Sequence, residues 1–192
     1  MKPYLIIALL AALGTSGLAD RALADTVEEP AYSVVRVIGD VELRNYTATI
    51  QARTPMAVEG DSSSTFRRLA DYIFGGNAGE QSIAMTAPVE TSRTKGGYMA
   101  FTMPSQYRME DLPAPLNADV TLHAIPERTL AALPFGGWAT EGRVDRNTEA
   151  LLAALEKEGI EAIGAPALNQ YNPPWTPPWR RRNEVVVEVQ PR

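Results

Sequence analysis

The chain has 192 residues, a formal net charge of -5, a single histidine and no cysteine. With 45% of its residues hydrophobic it can bury a real core, and one domain is expected. The acidic balance offers no basic field for nucleic acid, and the missing cysteines exclude disulfides, thiolate nucleophiles and cysteine-ligated clusters. One histidine also argues against a histidine-based metal centre.

The first residues read as a secretory signal. Lys2 opens a positive start, and residues 4–13 form an apolar run too short to span a bilayer comfortably. Ala22-Leu23-Ala24 is a small-x-small cleavage pattern before Asp25, and Ala19 before Asp20 is a second candidate. Residues 1–24 are therefore expected to be a signal peptide, 25–31 a flexible acidic lead, and 32–192 the domain. This predicts an exported protein, periplasmic or secreted, with no stable membrane insertion once the signal is removed.

The predicted elements follow in order. Residues 32–38 are β-branched and read as a strand, closed by the turn signal Gly39-Asp40. Residues 41–46 and 47–53 are two more strands, with Ala48, Ile50 and Ala52 on one face of the second. Ser62, Ser63 and Ser64 offer N-caps to a helix whose apolar positions Phe66, Leu69, Ala70 and Ile73 recur at i, i+3, i+4 and i+7. Gly75-Gly76-Asn77 stops it. Strands are expected at 82–89, interrupted at Pro88, and at 98–103. After a Pro-rich connector over 104–115, the order repeats: strands at 120–124 and 129–135, a helix capped by Asp145 and carrying Leu151, Leu152 and Leu155, then strands at 165–171 and 184–189. Each half reads strand-strand-helix-strand-strand. Two such halves can close one curved antiparallel sheet or barrel with both helices packed outside it.

One segment is unusual. Residues 171–185 hold two of the three tryptophans, Trp175 and Trp179, with two Pro-Pro pairs and the run Arg180-Arg181-Arg182. Prolines fix φ and leave the rings little entropy to lose. Flat aromatic faces beside guanidinium groups suit a flat ligand bearing negative charge. The plainer reading is a surface loop whose tryptophans pack on the protein itself.

Several pieces together resemble the SOUL/haem-binding-protein family. They are residues 66–73 followed by Gly75-Gly76-Asn77, then 83–89, 101–104, the pair Pro113 and Pro115, Phe135-Gly136-Gly137, Tyr171-Asn172-Pro173-Pro174 and Arg182-Asn183-Glu184-Val185. The resemblance implies an α+β fold: a distorted eight-stranded antiparallel β-barrel with two flanking helices, built from duplicated halves. It also implies non-covalent binding of haem or a related tetrapyrrole for storage, transport or buffering. The family's pocket, carried onto this chain, takes Phe66, Leu69, Ala70 and Ile73 from the first helix and Trp175 and Trp179 from the loop, with Arg67 and Arg180 to meet the propionates. Arg68 and Arg181 are further candidates for that pairing.

No iron ligand stands out. His123 alternates with apolar neighbours, shares a face with Thr121 and points away from the core. Asn45 occupies the place where some relatives carry a histidine. Tyr72, Tyr171 and Met85 read more simply as packed side chains, so binding through the apolar faces alone is the expectation. The other readings are a module for other flat amphipathic small molecules, as in folds of multidrug sensors, and an enzyme acting on a tetrapyrrole. Ser62 to Ser64 lack a nucleophile elbow, Gly75-Gly76 does not follow a strand, and Glu184 is expected in a salt bridge with residues 180–182.

Overall fold

The computed structural model describes residues 27–56, 62–92, 94 and 96–190; the expected signal peptide lies outside them. Nine strands form one antiparallel sheet. They are β1 (Tyr32–Ile38), β2 (Val41–Tyr46), β3 (Thr49–Pro55), β4 (Val89–Ser92), β5 (Tyr98–Thr102), β6 (Thr121–Ile125), β7 (Arg128–Gly136), β8 (Ala167–Gln170) and β9 (Arg182–Val189). Two helices, α1 (Ser62–Ile73) and α2 (Glu141–Lys157), lie outside it. The order across the sheet is β1-β2-β7-β9-β8-β4-β5-β3-β6. The strands curl without hydrogen bonds joining β1 to β6, so the sheet is an open half-barrel, and it has nine strands where the resemblance implies eight.

The duplication is visible in that order. A pseudo-dyad between β8 and β4 exchanges β9 with β5, β7 with β3, and β2 with β6. The first strand of each half crosses over: β2 pairs with β7 of the second half, in the register Leu43 opposite Ala131. β1 has no counterpart and adds the ninth strand at an edge.

Alternation assigns the two faces. The outer face of β2, β7, β8 and β9 packs on α2 through Leu43, Leu133, Leu168, Val185, Val187, Leu151 and Leu155. The outer face of β3 and β5 packs on α1 through Ala52, Met99, Phe101, Leu69, Tyr72 and Ile73. Gly75, at φ +115°, ends α1 where a side chain would be strained. The buried Asn77 then clasps the turn, donating from Nδ2 to Tyr72 O (2.7 Å) and Gln81 O (2.8 Å) and accepting Gln81 N–H (2.9 Å).

Some boundaries differ from expectation. α1 takes Ser62 to Ser64 into its first turn. α2 starts at Glu141 after Thr140, not at Asp145, because Val144 already belongs to the buried stripe. Residues 82–89 form no long strand; β4 begins only at Val89. Ile83 instead inserts into the α1 core, and its N–H reaches Ile73 O at 2.8 Å. Residues 28–31 of the lead make contacts with the domain. Ala87 N–H binds Glu28 O (2.9 Å) and Thr47 N–H binds Ala31 O (3.2 Å). Ser105 N–H donates to the Glu28 carboxylate (2.7 Å), and Glu29 pairs with Arg182 (2.9 Å).

Candidate functional site

The sequence-predicted binding residues divide between core and surface. Leu69 and Ile73 are 0% and 1% exposed, so they give their surface to the α1 core and none to a ligand. Packing against β3 and β5 claims that stripe. Phe66 and Phe74, four residues either side of the half-buried Ala70, remain on the exterior at 40% and 69% exposure. Arg67 is exposed beside them. Arg68 is committed elsewhere, donating to Pro55 O (2.8 Å) and to the Asp119 carboxylate (3.3 Å).

The loop behaves differently from a patch folded onto its own protein. Trp175 and Trp179 are 82% and 81% exposed. The backbone that carries them is nonetheless fastened. Arg181 stacks on Trp138, 3.9 Å from the ring centre. Its guanidinium donates to Thr176 O (2.8 Å) and to Pro174 O. Asn172 Oδ1 accepts Arg182 N–H (2.6 Å), and Gly137 N–H binds Pro178 O (3.1 Å). So Arg181 is the loop's internal strut, and Arg180 is the exposed cation beside the two rings. The loop leans on β7 and β9, whereas α1 leans on β3 and β5. β9 and β5 stand three strand spacings apart, about 14 Å, so helix and loop are separate platforms.

The inner, concave face is polar and ion-paired, which alternation alone did not reveal. Arg44 and Glu184, 2% and 1% exposed, meet in a two-pronged contact of 2.8 and 3.2 Å. Glu184 also accepts from Tyr171 OH (2.7 Å) and from Arg182 (3.1 Å). Its expected partners at residues 180–182 are thus only one-third right: the principal partner is Arg44, 140 residues earlier. Burial pushes the Glu184 carboxyl upward, but the hydrogen bonds from Arg44 and Tyr171 outweigh it and leave its pKa below the ordinary value. Burial, with Glu184 beside it, drives the Tyr171 phenol well above its ordinary value. A second cluster sits across the sheet: Glu90 receives Gln51 Nε2 (3.3 Å), Arg128 (3.3 Å) and Tyr98 OH (2.9 Å). Burial and then Glu90 push Tyr98 up to about 12.

These contacts bear on iron ligation. Tyr171 OH donates a hydrogen bond to Glu184 and keeps its proton, and Tyr72 donates to Pro113 O (3.0 Å) with a pKa raised by burial to about 12. Both resist becoming tyrosinate. Met85 packs against the α1 core. Asn45 accepts from Thr129 (2.9 Å). His123 is exposed on β6 and bonded to Thr121 at 2.9 Å. Burial and then Arg53 lower its pKa. Among the described residues no group of three or more His, Asp or Glu side chains could hold a metal ion. The exterior thus presents exposed rings and arginines in two separate places.

The sequence matches the family described as "SOUL heme-binding protein" over residues 27–188. This chain belongs to that family. The SOUL match takes in both helices and all nine strands but for the last residue of β9. The chain is similar to heme-binding protein 2 of Homo sapiens, 29% identical over 159 residues, which is 74% of this chain and 77% of the human protein. In fold it is similar to the EcmrR C-terminal domain, with a TM-score of 0.59 at 13% identity over 83% of this chain and 98% of that one. It is likewise similar to a hydrolase from Listeria innocua, with a TM-score of 0.55 at 11% identity over 79% of this chain and 92% of the other. At such identities these structures speak to the SOUL fold alone. No helix among the described residues is long and apolar enough to cross a membrane.

Proposed function

We propose that this SOUL protein binds haem or a related tetrapyrrole non-covalently on its exterior, with Trp175 and Trp179 covering an apolar face. The observation that carries this reading is the pair of tryptophans, each more than 80% exposed on a loop stapled from within by Arg181. Apolar rings held in water on a rigid frame gain by covering a flat ligand, at about 25 cal/mol per Å² of apolar area removed from water. Arg180 pairs with a propionate at the rim, and Phe66, Ala70, Phe74 and Arg67 form a second platform for the same chemistry. The human relative's name, heme-binding protein 2, supports the ligand class.

The reading is of a binder and not an enzyme. Glu184 and Glu90 are each engaged by arginine and tyrosine, which leaves neither carboxylate free as a general base. Storage, transport or buffering of the tetrapyrrole outside the cytoplasm is the corresponding role, supported by the signal-like pattern of residues 1–24. Titration with haem, followed at the Soret band, tests the proposal. Saturable binding is expected, weakened in a Trp175→Ala/Trp179→Ala variant whose urea midpoint equals that of the parent. An undisturbed Soret band at micromolar haem, or full affinity in the double variant, overturns it.

A further inference from the structure

A cavity lies away from both platforms, at the end of the sheet where β3 begins and β5 and β6 end. It measures about 710 Å³, and the anchored lead Glu28 to Ala31 forms one wall. Ile50, Met103, Pro104, Tyr107, Ile125 and Pro126 make most of its lining apolar. A volume of this order accommodates a drug-sized molecule. Behind it, sharing Glu29, Thr47, Thr49 and Thr102 as common wall, lies an inner recess of about 30 Å³ on the concave face. That is room for one water or one ammonium-sized group.

The recess is chemically incomplete. Asn169 lines it at 4% exposure, and its Oδ1 has no hydrogen-bond partner. A buried acceptor left open is costly, so a donor is wanted there. The surroundings choose the donor's charge. Glu28, Glu29 and Glu90 line the two spaces, and Arg128 is the single cation among the lining residues. Arg182 neutralises Glu29 and Arg128 neutralises Glu90 (2.9 and 3.3 Å), while Ser105 N–H satisfies one oxygen of Glu28. The balance is one acid in excess. The phenol rings of Tyr32, Tyr46 and Tyr171 border the recess, with Arg44 already over the Tyr32 ring (4.5 Å) and Arg182 over the Tyr171 ring (3.7 Å).

We infer that this end-of-sheet cavity is a second binding site, taking an aryl- or alkyl-ammonium amphiphile with its apolar body against Met103, Ile50 and Ile125 and its N–H donors on Asn169 Oδ1. Its charge preference is opposite to that of the tetrapyrrole surface, where arginines await acids. The site does not depend on haem binding.

Fluorescence titration with three matched naphthyl probes tests it: 2-(1-naphthyl)ethylamine, 2-(1-naphthyl)ethanol and 1-naphthaleneacetate. The amine binds one to one and at least about tenfold tighter than the carboxylate, with the alcohol between them. Asn169→Leu weakens the amine at least about tenfold, and Asn169→Asp, which adds charge in the same shape, strengthens it. Should Asn169→Leu fail to fold, Ala48→Trp fills the cavity mouth from an exposed position and abolishes amine binding while haem affinity stays as in the parent. Equal binding of amine and carboxylate, no saturation by about 1 mM amine, or loss of amine binding in Trp175→Ala/Trp179→Ala overturns the inference.

Discussion

The concave face and the outer loop are both built around arginines, and they use them in opposite ways. Inside, Arg44 and Glu184 have left water together, and their contacts close on one another and on Tyr171 and Arg182. Outside, Arg181 is spent on the loop's own carbonyls and on Trp138, which leaves Arg180, Trp175 and Trp179 facing solvent. The difference teaches where a charge holds the molecule together and where it is available to something else. A paired, desolvated charge is costly to orphan; a rim charge is cheap to lose and free to pair with a ligand.

Substitutions separate the two regions, and the largest effect belongs inside. Glu184→Ala leaves the buried Arg44 with Glu42 as its remaining acid partner (2.8 Å), and a loss of about 3 kcal/mol in urea unfolding is expected, with haem affinity of the folded fraction unchanged. A loss below about 1 kcal/mol would make the interior network no more than a rim pair. Next in size, Trp175→Ala and Trp179→Ala each remove roughly 60 Å² of ligand contact, worth about 1.5 kcal/mol or about tenfold in haem affinity, with stability unmoved. Unfolding in place of weakened binding would assign the rings to the core after all.

The pH response sharpens the same division. The depressed Glu184 contributes stability that is complete above the unfolded carboxylate value of 4.5 and is lost as pH falls through its lower folded value. Tyr98, raised from 10.0 to about 12, acts at the other end: its contribution is complete below pH 10 and is lost as pH climbs toward 12. Tyr98→Phe flattens the alkaline limb of a stability profile measured by chemical denaturation; an unchanged limb would place the tyrosine's proton outside the network. Smaller still, Arg180→Ala costs about threefold in haem affinity, more at low salt. His123→Ala leaves the haem spectrum as it was, and a shifted Soret maximum would instead make it the axial ligand.

Much of the fold was legible because β-branched alternation and helical stripes are local signals. β7 and β9 announce themselves in this way, as does α1 with its Gly75-Gly76-Asn77 stop. The stretch 82–89 misled because Ile83 and Met85 are apolar for a different reason: they fill the core under α1 without joining a strand. Part of the candidate site's layout was legible too. Proline density marked the loop, but periodicity could not say that Leu69 and Ile73 face inward while Phe66 and Phe74 stay out, since a stripe wider than its packing partner leaves its margin in water. Arg44 and Glu184 were illegible as a pair. Each is an ordinary charged residue in its own strand, and only the tertiary fold closes the 140-residue gap between them.

The exchange of β2 and β6 between the halves carries one last consequence. Neither half owns a complete sheet: β7 needs a strand from the first repeat, and β3 needs one from the second. A single repeat expressed alone would have an unfilled edge at β3 and a spare strand in β2, and two copies would satisfy both by trading strands. The chain is thus laid out as a strand-swapped dimer whose subunits have been joined end to end. Cutting it between β5 and β6 should leave two fragments that fold only in each other's company.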